Sequence, residues 1–114
     1  PGAILFHEWR SWDVDPYRIG PSIWIRDGQL TVGGHPLLDL PTGQWFHVEI
    51  TAKVGADADG KWALTVALPG ESPRRFPDLA VASPEFKNLT WTGWCSMATD
   101  KTAFYLDNLR LKNE

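Results

Sequence analysis

The sequence predicts an all-β domain, an antiparallel β-sandwich or jelly roll, on three observations. Apolar and polar residues alternate over short segments, the period of a half-buried strand. Nine Pro and ten Gly break the chain too often for long helices, and no stretch sustains a helical period. The segments between these breaks number about seven or eight, a usual count for two packed sheets. One domain fits 114 residues, and such a chain can bury a real core.

Taken in order, residues 3–10 (AILFHEWR) read as a first strand whose inward face is ambiguous. Residues 11–20 read as a loop built on Asp13, Asp15, Pro16 and Gly20. Residues 22–26 and 29–33 form the clearest hairpin, turning at Asp27-Gly28, a pair that accepts the positive φ angles of a tight hairpin turn. Its inward set is Ile23, Ile25, Leu30 and Val32, so Ser22, Trp24 and Arg26 point the other way. Residues 37–40 suit a short strand, and Pro41-Thr42-Gly43 a turn.

Residues 44–54 give the strongest strand pattern. Phe46, Val48, Ile50, Ala52 and Val54 face one side, and Trp45, His47, Glu49, Thr51 and Lys53 the other. After the polar turn 55–60, residues 61–68 return with Trp62, Leu64, Val66 and Leu68 inward. Opposed residues of a hairpin share a face, which places His47, Glu49 and Thr51 beside Thr65 and Ala67. Residues 69–88 carry four Pro and read as irregular. Residues 89–98 and 102–112 complete the set of strands.

Composition bounds the function. A net charge of −3 with scattered Lys and Arg gives no electrostatic footprint for nucleic acid or an anionic membrane. No apolar run approaches a membrane span, and no leader peptide is visible. The chain starts at Pro1 and reads as a single domain, 1–114, cut from a longer protein. Cys95 is the sole cysteine. It reads as a buried inert thiol, because nothing near it in sequence supplies a base.

Seven Trp against five Phe and two Tyr is more than a core this size needs, since each indole is large and its N–H requires a partner. Indoles left over on a sheet face suit the apolar C–H face of a sugar ring. Alternation sends Trp24 and Trp45 outward, and Trp94 too if Leu89, Trp91 and Gly93 face the core. Trp62 and Trp91 read as core, while Trp9 and Trp12 border a loop. The expected ligand-binding set is therefore Trp24, Arg26, Trp45, His47, Glu49 and Trp94. For the aromatic members the plain alternative is packing under loops or against another domain. For His47 and Glu49 it is a solvated sheet face.

The runs Trp45–Thr51, Gly60–Val66, Leu89–Ser96 and Thr102–Asn108 resemble concanavalin A-like jelly rolls. They are similar above all to the laminin-G-like modules attached to bacterial secreted or surface polysaccharide-degrading proteins. The resemblance covers roughly residues 20–112 and implies two stacked antiparallel sheets with ligand contacts on one face or its rim. It also implies a bacterial protein that is secreted or held at the cell surface. Domains of this family are usually longer, so either the sandwich here is reduced or its N-terminal strands lie outside the segment.

In the resembling family Asp107 matches a position that often carries a structural calcium ligand. Calcium needs several further oxygens, and the plain alternative is an acid bonding backbone amides at a strand end. The family's hydrolytic members carry a Glu-x-Asp-x-x-Glu strand motif that nothing in this chain matches, and glycoside hydrolysis needs two placed carboxylates. Asp57 and Asp59 suit a plain hairpin turn. His7, His35 and His47 match no metal spacing, and His7 and Glu8 face opposite sides of their strand. The expectation is a non-catalytic carbohydrate-binding module with no cofactor beyond that candidate calcium. It would bind a polysaccharide or oligosaccharide and serve an attached catalytic domain. The rival expectation is a structural module whose surplus Trp pack against that neighbour.

Overall fold

A computed structural model of the chain describes residues 4–12, 16–41, 43–97, 106, 110 and 111. These residues form two antiparallel sheets, an all-β, sandwich-like arrangement. The strands are β1 (Ile4–Ser11), β2 (Arg18–Arg26), β3 (Gln29–Val32), β4 (His35–Asp39), β5 (His47–Ala52), β6 (Lys61–Ala67), β7 (Arg74–Ala80) and β8 (Trp91–Ser96). The larger sheet runs β4-β3-β2-β1-β8 and the smaller β5-β6-β7. Each is a meander of sequential hairpins, except that β8 returns to lie beside β1.

Turn chemistry sets the hairpins. Asp27 (φ 53°) and Gly28 (φ 73°) are both left-handed, the backbone of a two-residue turn whose twist matches the flanking strands. The pairs Arg26↔Gln29 and Ile25↔Leu30 follow from it. Gly33 and Gly34 (φ 58° and 81°) repeat the device between β3 and β4. In the smaller sheet the register is His47↔Ala67, Glu49↔Thr65 and Thr51↔Ala63, as the face-sharing argument requires.

The core lies between the sheets. Ile23, Leu30 and Leu38 from the larger sheet meet Trp62, Leu64 and Val66 from the smaller, all essentially buried. Ile25 and Val32, also expected inward, are half-buried. Trp62 carries out the core role read from the sequence, and its indole N–H donates to the Ala80 carbonyl at 3.1 Å, which satisfies the one polar atom it buries.

Two segments depart from expectation, and a third cannot be compared with it. The loop expected over 11–20 is shorter, because β2 already begins at Arg18. The stretch 69–88 contains β7, although its Pro residues argue against a strand. Pro77 is tolerated because β7 is an edge strand and Pro77 sits in a bulge, where the register shifts between Trp62 and Leu64. Asp78 there adopts φ 57°, as bulges often require. The strand expected over 102–112 falls almost wholly outside the described residues.

Past β7 the chain changes sheets. The Ala82 N–H donates to the Gly20 carbonyl and the Ser83 N–H to the Ile19 carbonyl. The Ile19 N–H donates in turn to Ser83 Oγ at 2.9 Å. Residues 81–83 thus flank the first half of β2, where the four-residue β3 does not reach.

Candidate functional site

Two outer faces carry the chemistry, and cross-strand partners assign each residue to one. On the smaller sheet, Trp45 precedes β5 and is 63% exposed, while its neighbour Phe46 packs on the core. His47, Glu49 and Thr51 continue the same alternation and are all exposed. Opposite them stand Ala67, Thr65 and Ala63, and Thr65 is flanked in turn by exposed Arg75. The result is a flat polar strip. Small alanines keep it low, Glu49 and Arg75 border Thr65, and an indole stands at one end.

On the larger sheet, β1 places Phe6, Glu8 and Arg10 on the outer face, beside Trp24 and Ser22 of β2 and Cys95, Gly93 and Trp91 of β8. Phe6 stacks on Trp24 at 4.6 Å between centroids. The Arg26 guanidinium lies 5.6 Å from the Trp24 ring. Arg10 is enclosed by rings: its guanidinium carbon is 4.4 Å from the Trp91 centroid and 4.7 Å from that of Tyr17, with Trp12 beyond. Its Nε donates to Glu8 Oε2 at 2.9 Å, and only 14% of the Arg10 side chain and 7% of the Glu8 side chain remain exposed. Gly93 leaves the space that the Trp91 ring fills: a Cβ there would sit 2.9 Å from it.

A cleft of about 300 Å³ opens between this face, the β3–β4 turn and residues 80–82 at the end of β7, at the small end of ligand pockets, which run about 300–1,000 Å³. Glu8 and Ser22, cross-strand partners, supply its polar groups, and Trp24, Ile19 and Val32 its apolar ones. Gly33-Gly34 and Ala80 with Ala82 complete the lining.

The six residues expected to bind ligand are therefore divided. Trp45, His47 and Glu49 share the outer face of the smaller sheet, and Trp24 and Arg26 that of the larger. Trp94 lies on neither, which corrects its outward assignment. It pairs with His7, which pairs with the fully buried Ile23, so Trp94 faces inward and packs against the core. Trp91 is its counterpart and faces outward over Arg10, not into the core. Positions three apart on a strand must take opposite faces; which of the two is buried was settled by the pairing of β8 with β1.

Glu8, Arg10, Ser22 and Tyr17 were missed as a group. Alternation puts Glu8 with Phe6 and Arg10, but nothing in the sequence gives the register that brings β2 and β8 alongside. His7, on the inner face, packs tilted against Trp94 at 4.7 Å between ring centroids, and its Nδ1 lies 3.0 Å from the Gly93 carbonyl oxygen. Burial lowers its pKa, opposed by that backbone hydrogen bond. Cys95 is half-buried on the outer face, opposite Phe6.

Asp107, the candidate calcium ligand, lies outside the described residues. Among those described, no three His, Cys, Asp or Glu gather closely enough to hold a metal ion. Asp59 accepts the Lys61 N–H at 3.1 Å, the work of a turn residue. No family model matches this chain, and neither the curated proteins nor the solved structures provide a match.

Proposed function

We propose that this domain is a non-catalytic carbohydrate-binding module that engages a polysaccharide on the outer face of the smaller sheet. One observation carries the reading: a 63% exposed indole, Trp45, immediately precedes the strand that exposes His47 and Glu49 beside the small side chains of Ala67, Thr65 and Ala63. An exposed indole in water is unfavourable apolar area, and a pyranose face covers it without burying polar atoms. His47, Glu49, Thr65 and Arg75 then select among hydroxyl patterns. Each such contact is weak because water competes for every hydroxyl, so the module's use is to raise the local concentration of an attached enzyme. The sandwich itself is proposed to be a concanavalin A-like jelly roll, on a secreted or surface-held bacterial protein.

The test is affinity electrophoresis in soluble polysaccharides together with pull-down on insoluble ones. Retention by at least one glycan is expected, with Trp45→Ala reducing it about fivefold, since stacking on an aromatic is worth about 1 kcal/mol. Unchanged retention in Trp45→Ala would refute the strip. No retention on any glycan, with self-association in sedimentation, would favour a structural module that packs against a neighbouring domain through the same indole.

A further inference from the structure

We propose that the cleft between Trp24 and the Gly33-Gly34 turn is a second binding site, for a neutral polyol such as a single sugar residue. The argument begins with an ion pair in an unusual place. The outer face of a sheet normally carries solvated side chains, yet Glu8 and Arg10 are both largely buried there. Burying two charges is costly unless their attraction and hydrogen bonds repay the lost hydration. The rings of Trp91 and Tyr17 hold Arg10 in place, and Arg10 Nε holds Glu8 Oε2. The carboxylate is thus fixed in orientation, and it lines the cleft. Fixing a polar group beforehand removes the ordering cost when a ligand arrives.

The lining specifies the ligand. Glu8 is an acceptor, and Ser22 beside it both donates and accepts, so the pair matches adjacent hydroxyls. Trp24, Ile19 and Val32 offer apolar area to the C–H groups between them. Because Arg10 already compensates the Glu8 charge, a charged ligand would lose hydration and find no opposite charge left unpaired. Gly33 and Gly34 carry no side chain, so their backbone is open to the ligand. The cleft and the Trp45 strip share no residue, so the two proposals fail separately.

The experiment is an NMR titration of backbone amides and indole N–H groups with glucose, galactose, mannose and xylose, alongside glucosamine as a cation and glucuronate as an anion. At least one neutral sugar is expected to shift Ser22, Trp24, Gly33 and Gly34, saturably. Ser22→Ala should weaken that binding about 2–10-fold, the worth of one hydrogen bond. Ala82→Leu should abolish it by filling the cleft while leaving the Ala82 backbone bond and the ion pair intact. Trp45→Ala should leave it unchanged. The proposal is overturned if no neutral sugar shifts these signals. It is overturned equally if only glucosamine or glucuronate does, or if the shifts survive Ala82→Leu in a folded variant.

Discussion

Gly20 is where a single methyl group tests the packing that shapes the cleft. It is buried, and a Cβ built on it would meet the Phe86 ring at 2.5, 2.6 and 2.7 Å. Ordinary contact begins near 3.4 Å, so the ring must retreat by about 0.9 Å. Phe86 is 3% exposed and its N–H is tied to the Ser83 carbonyl, so little room exists for that. Overpacking of this kind costs about 1–3 kcal/mol. Removing glycine's freedom in the unfolded chain returns about 0.4–1 kcal/mol, and Gly20 has no positive φ to add strain. The expected net loss for Gly20→Ala is about 1–2 kcal/mol, against a total stability of about 5–15 kcal/mol. The assay is urea unfolding of Gly20→Ala, Phe86→Leu and the double variant, followed by Trp fluorescence. Because the shorter Leu relieves the clash, the double variant should be more stable than additivity predicts, by about 0.5–3 kcal/mol. A Gly20→Ala domain as stable as the parent, or strictly additive effects, would refute the reasoning.

The other predictions follow from burial, charge and turn geometry. Leu64→Ala, at a fully buried position, should cost about 2–5 kcal/mol, while Thr65→Ala, its half-buried neighbour, should stay within about 1 kcal/mol; urea midpoints compare them. Gly28→Val should cost about 1–2 kcal/mol, since the site has ample space but φ 73° suits no β-branched residue, and thermal unfolding reads the loss. His7 has a lowered pKa in the fold, so the unfolded chain takes up a proton first as pH falls. Stability should therefore be full above the ordinary value of 6.5. It should decline by at most about 1.4 kcal/mol per pH unit between that value and the lowered one. Denaturant midpoints from about pH 7.5 to about pH 5, across the histidine range, should show a smaller decline in His7→Gln; an equal one would exclude His7 as the source.

How far the sequence reached can be followed through individual residues. Asp27-Gly28 announced its hairpin because few dipeptides accept two left-handed φ angles, and the structure shows that turn. The 44–54 and 61–68 alternations set which residues of β5 and β6 face the core and that Glu49 and Thr65 share the outer face; their direct pairing comes from the register. Of the candidate site, the line Trp45, His47 and Glu49 was legible for the same reason. Strand β7 was not, since Pro77 speaks against a strand unless one knows that it lies at an edge and in a bulge.

The seven tryptophans mark the boundary between the two sources of information. Local alternation sufficed for Trp24, Trp45 and Trp62, because each sits among residues whose inward or outward preference is unmistakable. It could not decide between Trp91 and Trp94, whose strand offers a large residue to both faces. Nor could it show that Glu8 and Arg10 would be buried on an outer face among rings from β1, β2, β8 and the loop before β2. Period two is a property of a strand alone and is written in its residues. Which face meets the core, and which side chains from distant strands become neighbours, depends on register between strands as far apart in sequence as β1 and β8, where Leu5 pairs with Ser96, and only the assembled sheet determines that.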